Sequence, residues 1–392
     1  MTLTSIGNVL ERVRQGAPVL LVDDAGEWAQ GTLMVPAERA GREAVAWLMN
    51  HGRGPLCAAI PQPRLEEMAV GRLGGGHRGP YFASVDAADG GGFSAEGRAN
   101  TIDLLLDADA PLDVFTTPGN VFLLATVHGG VLRKAARAEA AVDLCAAAGL
   151  QAVAVVCEAL DEQGAPAFGA QLEALASEHS LPVVSVEDLI AWRRERDTYV
   201  TREAEANLPT AYGDFRMVGY VNRLNGEHHV ALVKGSFGPE DDVLVRVHSE
   251  CLTGDAFHSL KCDCGEQLAS ALTAIEAEGC GILLYLRQEG RGIGLINKIK
   301  AYHLQEQGLD TEEANLALGF PADLRDYGIG AQILSDLGAR RLRLMTNNPK
   351  KLVGIRGHGI EVVERVPLIM QPNAINRRYF ETKEEKMGHL FR

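Results

Sequence analysis

The chain has 392 residues, of which 46% are hydrophobic and 23% charged, and its formal net charge is -14. This length suits two or three domains of an ordinary globular protein. The acidic balance argues against a nucleic-acid-binding protein, but a local positive pocket would still accept a nucleotide. No apolar run approaches the roughly 20 residues of a membrane helix, and the N-terminus lacks a signal-peptide pattern. Together with seven scattered cysteines, an odd number, this predicts a cytoplasmic protein without membrane contact.

The first half of the chain alternates predicted strands and helices. Apolar runs predict strands at 18–24 and 151–160, and helical spacing predicts helices at 42–50 and 139–149. Glycine-rich pieces at 71–79 and 89–93 predict loops. This alternation is typical of an α+β (mixed α/β) domain.

A polar, charged stretch at 191–215 predicts the boundary between two domains. It follows a helix-like segment and contains a proline. A cut near residue 203 divides the chain into domains 1–202 and 203–392, each of ordinary domain size.

The second half also mixes the two kinds of element. Apolar runs predict strands at 230–237, 243–250, 280–286, 340–346 and 361–368. Helices are predicted at 264–279, 297–307 and 327–338. The first of these helices places Leu268, Leu272 and Ile275 on one face and ends at Gly279. We therefore expect a second α+β domain.

Three cysteines in the second half have the spacing of metal ligands. Ten residues separate Cys251 from Cys262, and Cys264 completes a C-x-C pair. Soft thiolates favour zinc, and three protein ligands leave a fourth tetrahedral position for water, as in catalytic zinc sites. The alternatives are a structural zinc site completed by His248 or His258, or no metal.

Three further segments carry polar residues that suit a nucleotide. RQEGRGIG (287–294) and TNNPKK (346–351) each follow a strand and offer cations, amides and hydroxyls to phosphate. Asp323 and Arg325 precede a helix, where they suit a general base and a phosphate-stabilising group. Taken singly, each segment is equally consistent with a solvated turn or a surface ion pair.

Together these segments resemble GTP cyclohydrolase II, the first enzyme of riboflavin synthesis. The resemblance runs from about Leu208 to the C-terminus and includes RVHSECLTGD, SLKCDCG, RQEGRGIGL, KAY, FPADLRDYGIG and TNNPKK in the family's order. It implies a zinc-dependent hydrolase that opens the imidazole ring of GTP. Formate and pyrophosphate leave, and 2,5-diamino-6-ribosylamino-4(3H)-pyrimidinone 5′-phosphate remains.

The same resemblance implies roles for individual residues. Zinc is held by Cys251, Cys262 and Cys264. Asp323 is the proton acceptor, Arg325 acts at the α-phosphorus, and Tyr302 orients the reacting ring. The expected GTP contacts are Arg246, Gln267, Glu289, Arg291, Thr311, Thr346 and Lys351. Glu289 suits guanine N1–H and its amine, magnesium accompanies the triphosphate, and a homodimer is expected. His303 replaces a small residue and is expected to face solvent.

The first half resembles 3,4-dihydroxy-2-butanone 4-phosphate synthase in HGRGPLC, FSAEGRANTI, FTTPGNVFLL and GGVLRKAARAEAAVDL. The family's catalytic positions are altered. Its metal-binding Glu is Trp28, and its metal-binding His is Arg137. The adjoining acidic-loop positions are Glu27, Gln30 and Thr32, and a P-G-H segment ends in Asn120.

Magnesium needs oxygen ligands, which neither an indole nor a guanidinium supplies. We therefore predict a catalytically inactive synthase-like domain with a structural, dimerising or regulatory role. A relocated metal site at Asp23, Asp24 or Asp86 is the competing interpretation, and Arg53, Asp86, Arg98 and Glu139 suit a retained phosphate pocket. Two alternatives for the whole chain are a fully bifunctional enzyme and a non-catalytic GTP-binding regulatory protein.

Overall fold

The structure is a computed structural model that describes residues 2–24, 29–68, 71, 81–89, 92–107, 110–320, 325–348 and 358–377, without the side chains of Leu112 and Thr311. The chain forms two compact units, Met1–Arg194 and Glu195–Arg392. The division precedes the predicted cut between residues 202 and 203. The reason is a strand, Val200–Thr210, that pairs along its length with the next strand of the second unit.

The first unit contains seven helices and seven strands in its described part. The helices are α1 (Ile6–Arg14), α2 (Arg42–Gly52), α3 (Gln62–Glu67), α4 (Ala95–Leu106), α5 (Arg137–Ala147), α6 (Gly169–Glu178) and α7 (Val186–Arg196). The strands are β1 (Val19–Val22), β2 (Gly31–Pro36), β3 (Arg53–Pro61), β4 (Tyr81–Ala87), β5 (Phe115–Thr126), β6 (Ala154–Ala159) and β7 (Val183–Ser185). Short 3-10 turns lie at Ala37–Arg39, Leu112–Val114 and Gly130–Leu132.

The strands of the first unit form one mixed sheet in the order β4-β5-β3-β6-β2-β1-β7. Successive residues of a strand face opposite sides, and β1 shows the consequence. Leu20 packs into one hydrophobic core, with helices α2 and α4, while Val19 and Leu21 pack into a second core, with α1 and α5. Helices therefore cover both faces of the sheet, which is why its central strands are apolar throughout.

The second unit has seven strands and five helices in its described part. The strands are β8 (Val200–Thr210), β9 (Gly213–Asn222), β10 (His228–Lys234), β11 (Asp242–Ser249), β12 (Gly281–Leu286), β13 (Arg341–Met345) and β14 (Glu361–Val366). The helices are α8 (Leu252–Asp255), α9 (Cys264–Glu278), α10 (Leu295–Glu306), α11 (Thr311–Ala317) and α12 (Gly328–Asp336), with a 3-10 turn at Glu289–Gly292.

The strand order of the second sheet is β14-β13-β11-β12-β10-β9-β8. Strands β14, β13, β11 and β12 run parallel, and β10, β9 and β8 continue the sheet in antiparallel pairs. Helix α9 buries Leu272 and Ile275 against this sheet and ends at Gly279, whose φ of 75° is the left-handed conformation that glycine adopts at least cost. The mixed α/β character predicted for both halves is confirmed.

Most predicted elements lie within a few residues of the observed ones, and the division between the two units falls inside the polar stretch 191–215, but one strand in that stretch was not predicted. Residues 200–210 form β8, the edge strand of the second sheet. Nearly all of its central residues are exposed, so its sequence has no alternation of apolar and polar residues to reveal it. None of the described helices has both the length and the apolar character that a membrane crossing requires.

Candidate functional site

The residues predicted to carry chemistry follow the ends of three neighbouring parallel strands. Cys251 comes shortly after β11, Glu289 shortly after β12, and Thr346 directly after β13. Strand β11 pairs with both β12 and β13. Parallel strands bring their carboxyl ends to the same edge of a sheet, which is where α/β folds bind ligands.

A cavity of about 380 Å³ lies at this edge, within the range of about 300–1,000 Å³ that is usual for small-molecule sites. Its lining contains every predicted site residue of the second unit whose side chain the structure describes: Arg246, Cys251, Cys262, Cys264, Gln267, Glu289, Arg291, Tyr302, Arg325 and Thr346. Asp323 and Lys351 lie outside the described residues. Thr311 begins α11, and its side chain is not described.

The three cysteine sulfurs lie together as a metal site requires. All three are within 4.8 Å of one another, and the sulfurs of Cys251 and Cys262 are 3.7 Å apart. A zinc–sulfur bond of about 2.3 Å and a tetrahedral angle place two sulfurs about 3.8 Å apart. The donor set therefore fits zinc in both chemistry and spacing.

Gly254 makes this close approach possible. A Cβ atom at this position would lie 2.9 Å from Cys264 Cβ, 3.0 Å from Cys262 Sγ and 3.1 Å from Cys251 Sγ. The backbone of α8 thus forms one wall of the cysteine cluster. Only a residue without a side chain leaves the sulfurs where they are.

The alternative of a fourth protein ligand from His248 is not favoured by the geometry. His248 Nε2 contacts the Asp255 carboxylate at 3.0 Å, and its ring stacks on Tyr285. Among the described residues, neither His248 nor His258 nor any carboxylate joins the three cysteines as a further metal-binding group. Three ligands with an open position are typical of catalytic zinc, whereas structural sites normally have four.

The three sulfurs influence one another strongly. The pKa of Cys251 lies well below its usual range because the thiols of Cys262 and Cys264 donate hydrogen bonds to its sulfur, with a further contribution from the Lys298 ammonium. The pKa of Cys262 is raised to about 11, mainly because its proton is shared with Cys251. Because metal ligation requires deprotonated sulfurs, zinc binding at these three cysteines is coupled to proton release.

Asp255 holds the backbone of Cys251 through a hydrogen bond. Its carboxylate accepts hydrogen bonds from the Cys251 backbone amide at 2.9 Å, from the Tyr285 hydroxyl at 2.8 Å and from His248. All of these groups are partly or fully buried. Such outer partners orient metal ligands and are part of a metal site in the same sense as the ligands themselves.

Lys298 lies on the other side of the same cysteine. Its ammonium donates to Cys251 Sγ at 3.1 Å, to Thr253 Oγ1 at 2.9 Å and to Glu289 Oε1 at 2.8 Å. Burial by itself lowers the pKa of Lys298, but the hydrogen bond to Glu289 and the charge of Cys251 outweigh that effect and raise it. The side chain is therefore a buried cation with three acceptors.

Tyr302 lies one turn further along α10, and its hydroxyl contacts Thr253 Oγ1 at 3.1 Å. Glu289, which was expected to contact guanine, also has hydrogen-bond partners within the protein. Its Oε2 accepts from the Leu252 amide at 2.6 Å, and its Oε1 accepts from Gly290 and Lys298. About three of the four acceptor positions of a carboxylate are thus used within the protein, and the side chain lines the cavity.

Arg246 forms a cationic part of the cavity wall. It is 5% exposed, donates to the Met345 carbonyl at 2.8 Å and contacts the amide oxygen of Gln267. Its Nε has no partner among the described groups. Since a buried N–H without an acceptor is costly, a ligand oxygen in the cavity is the natural partner for this donor. Arg325 lies above the Tyr327 ring at 5.4 Å and adds a second guanidinium to the lining.

The sequence reasoning missed Lys298 and the Asp255 group. Lys298 precedes Tyr302 by four residues, a spacing that places both on one face of a helix. Asp255 follows Cys251 by four residues in the same way. These spacings were the only signals available, and many surface residues have the same ones.

In the first unit, Arg137 stands among the acidic residues of the synthase-like site. Its guanidinium pairs with Asp23 at 2.6 Å and with Glu158 at 3.0 Å, and it donates to Thr32 at 2.7 Å. The side chain of Arg137 is 15% exposed. The guanidinium at the position of the family's metal-binding His supplies no ligand to magnesium, and it occupies the two nearby carboxylates as their counter-ion, so the described residues here do not fit magnesium.

Other residues of the predicted phosphate pocket also have protein partners. Asp86 accepts from the Asn120 amide at 2.9 Å, and Glu139, which is fully buried, pairs with Lys134 at 2.8 Å. Arg53 reaches the Leu160 carbonyl at 3.4 Å. Trp28 lies outside the described residues. The site therefore keeps its polar network in the part of the first unit that the structure describes.

The geometry defines a two-unit protein whose second unit has a cluster of three cysteines, fit to hold a metal ion, at the carboxyl edge of its parallel strands. Comparison with known proteins agrees. The family model for GTP cyclohydrolase II matches residues 201–367, and the model for 3,4-dihydroxy-2-butanone 4-phosphate synthase matches residues 7–192.

Full-length relatives and a solved structure extend these matches. The chain is 48% identical over 395 residues to riboflavin biosynthesis protein RibBA of Chlorobium phaeovibrioides, covering 99% of this chain and 96% of that protein. It is 48% identical over 390 residues to the protein of the same name from Bacillus cytotoxicus, covering 98% of each. RibBX, a two-domain 3,4-dihydroxy-2-butanone 4-phosphate synthase from A. baumannii, aligns with a TM-score of 0.65 and 26% identity over 94% of this chain and 100% of that one.

The chain belongs to the RibBA family of riboflavin biosynthesis proteins. It is an enzyme of the GTP cyclohydrolase II class, which excludes the non-catalytic alternative. The prediction of a catalytically inactive first half is not supported by these comparisons. Relatives that match the whole chain, and the synthase model that matches nearly all of the first unit, favour the alternative of two activities.

Proposed function

We propose that the second unit opens the imidazole ring of GTP and releases formate and pyrophosphate. The product is 2,5-diamino-6-ribosylamino-4(3H)-pyrimidinone 5′-phosphate, and the reaction is the first step of riboflavin biosynthesis. The observation that carries the proposal is the trio of sulfurs at tetrahedral spacing in the wall of a cavity lined by Arg246 and Arg325. Seven free cysteines fit a reducing cytoplasm as the place of this reaction.

Cys251, Cys262 and Cys264 would hold zinc, which would supply a Lewis acid and, as in other catalytic zinc sites, lower the pKa of bound water to about 7. The protein's own side chains do the rest. Tyr302, held by Thr253, orients the guanine ring beside the cysteines. Asp323 accepts the proton, by its position in the family motif. Since a catalytic proton transfer contributes about 10²–10⁴-fold in rate, the loss of Asp323 is measurable.

The triphosphate requires cations around the charge that develops as pyrophosphate leaves. We propose that Arg325 acts at the α-phosphorus and that Arg246, Arg291 and Lys351 contact phosphate oxygens, with magnesium bound to the triphosphate. Gln267, Glu289, Thr311 and Thr346 complete the GTP contacts, Glu289 through the position of its loop. A homodimer, tested by light scattering, is part of the same proposal.

The test is an incubation of purified protein with GTP and Mg²⁺, in which formate, pyrophosphate and the pyrimidine are measured separately. We expect equimolar formate and pyrophosphate, and a zinc content of one per chain. Cys262→Ser is expected to lose zinc and formate release together, whereas Cys280→Ser, a cysteine outside the cluster, keeps both. A wild-type protein that retains zinc but releases no formate would refute the proposal.

A second candidate function is the conversion of ribulose 5-phosphate to 3,4-dihydroxy-2-butanone 4-phosphate by the first unit. The match of residues 7–192 and the full-length relatives favour it. The local observation against it is the pairing of Arg137 with Asp23 and Glu158. An assay of ribulose 5-phosphate turnover with Mg²⁺ distinguishes a bifunctional enzyme from one with a single activity. Turnover supports the bifunctional enzyme. No turnover, together with intact formate release, means that the protein has the GTP cyclohydrolase II activity alone. Arg137→His, which restores the family's residue, is the matched variant.

A further inference from the structure

Lys298 is a buried cation that no predicted role accounts for. It lies on α10 with its side chain 10% exposed, and the carboxylate it pairs with, Glu289, is 9% exposed. Its three hydrogen-bond acceptors come from different segments: Cys251 after β11, Thr253 in α8 and Glu289 after β12. One ammonium group therefore forms hydrogen bonds to all three of these segments beside the cavity.

The geometry limits what this lysine does. An ammonium group has three N–H donors, and all three have acceptors at 2.8–3.1 Å within the protein. No donor remains for a substrate phosphate or base. A group that is saturated in this way acts on the reaction through the side chains it holds.

Two of the three acceptors of Lys298, Cys251 and Thr253, connect it to groups that are expected to take part in the reaction. Cys251 is one of the three predicted zinc ligands, and an N–H···S hydrogen bond fixes the direction of its sulfur and offsets part of its charge. Thr253 in turn contacts the Tyr302 hydroxyl at 3.1 Å, and Lys298 Nζ lies 5.6 Å from the centre of the Tyr302 ring. The lysine is thus connected both to the metal ligands and to the side chain expected to orient guanine.

Glu289 completes the arrangement as the counter-ion. Its oxygens also accept the amides of Leu252 and Gly290, so it ties the start of α8 to the loop after β12. A buried ion pair whose remaining hydrogen-bonding positions are filled in this way holds a single geometry.

We propose that Lys298 is a positioning residue for the GTP cyclohydrolase II site, which holds the Cys251 sulfur in the metal-binding geometry and, through Thr253, the Tyr302 hydroxyl beside it, with Glu289 as its fixed counter-ion. The assignment rests on the proposed function for the part that concerns Tyr302. The part that concerns Cys251 stands on the metal-binding geometry alone.

The test compares Lys298→Met with Lys300→Met, a lysine on the same helix whose exposed ammonium contacts the Asn297 side chain at 3.4 Å. The apoprotein is titrated with Zn²⁺ against a chelator, and Co²⁺ is added in its place to record the sulfur-to-metal absorption band. Changes in the outer partners of a metal site typically cost about 10–100-fold in affinity. We expect such a loss and an altered cobalt band in Lys298→Met, and neither change in Lys300→Met. A folded Lys298→Met with wild-type zinc affinity and a wild-type cobalt spectrum would overturn the proposal.

Two more variants separate the branches of the network. Tyr302→Phe removes the hydroxyl that Thr253 contacts but keeps the three contacts of Lys298, and it is expected to lower kcat at least tenfold while zinc affinity stays within threefold of wild type. Unchanged kcat there would remove the Tyr302 branch. If Lys298→Met does not fold by circular dichroism, Lys298→Arg takes its place, because it keeps the charge but moves the nitrogens away from the three acceptors. Lys298→Arg is also expected to weaken zinc binding, and a wild-type zinc affinity in this variant would contradict the positioning role of Lys298.

The metal titrations need no GTP, so they do not depend on the reaction assigned to the site. A wild-type protein that binds zinc without releasing formate would refute the proposed function and leave the effect of Lys298→Met on zinc affinity to be judged by itself. Formate release that is normal in Lys298→Met at saturating zinc would instead refute the part of the proposal that concerns Tyr302 and leave the proposed function standing, while the part that concerns Cys251 is decided by the zinc affinity.

Discussion

Gly254→Ala is the sharpest test of the metal-site geometry. The added Cβ would meet Cys264 Cβ at 2.9 Å and the sulfurs of Cys262 and Cys251 at 3.0 and 3.1 Å. Comfortable separations are about 3.5–4.0 Å, so at least one sulfur must move by about half an ångström. Metal–ligand distances tolerate deviations of only about 0.2 Å, so the movement exceeds what a zinc site accepts.

We expect Gly254→Ala to lower zinc affinity by about 10–100-fold, which corresponds to about 1.4–2.8 kcal/mol. The strain of an overfilled core adds a loss of about 1–3 kcal/mol in the free energy of unfolding. Zinc affinity is measured by chelator competition on the apoprotein, and stability by denaturant unfolding. Gly219→Ala is the matched control in the same unit, because a Cβ there meets only the Ala204 carbonyl, at 3.7 Å. Wild-type zinc affinity in Gly254→Ala would show that the sulfurs do not lie as described.

Three further predictions follow from the described side chains. Burial lowers the pKa of His229 to about 4, so its contribution to stability is complete above the unfolded-state value of about 6.5 and is lost as the pH falls through 4. Between pH 7.5 and 4 we expect the free energy of unfolding to fall by about 2–3 kcal/mol through this histidine. This loss should be absent in His229→Gln and unchanged in His228→Gln, a substitution of its exposed neighbour. Equal profiles of unfolding free energy against pH in all three proteins would contradict this. Arg137→Leu leaves the half-exposed carboxylates of Asp23 and Glu158 without their guanidinium partner. We therefore expect the free energy of unfolding of the first unit to fall by about 1–2 kcal/mol, and an unchanged unfolding midpoint would show that the pairing does not stabilise the protein. Asp255→Asn weakens the support of the Cys251 amide, and we expect about tenfold weaker zinc binding without loss of folding; zinc affinity equal to wild type would remove Asp255 from the metal site.

The prediction of helix α9 succeeded because its signals are local. The spacing of Leu268, Leu272 and Ile275 and the stop at Gly279 depend only on the geometry of one helix. Strand β8 was missed because an exposed edge strand has no buried face, so its existence depends on hydrogen bonds to β9 that the local sequence does not encode.

The site shows the same contrast. The cysteine spacing pointed to zinc because ligand type and separation are properties of the sequence itself. Lys298 and Lys300 are indistinguishable in the sequence, yet one is buried with three acceptors and the other lies at the surface. Only the packing of α10 against the loop after β12 separates them.

The sequence by itself determined two mixed α/β domains and predicted three cysteine ligands for a metal, because periodicity and ligand spacing act over short distances. Its resemblance to the synthase family placed Arg137 at a metal-ligand position. The tertiary structure alone decided that Glu289 is held by Lys298 and that the Arg137 guanidinium lies between Asp23 and Glu158. Those partners are far apart in the chain or on different elements. A charged side chain finds its counter-charge in space, after the sheet has brought the elements together.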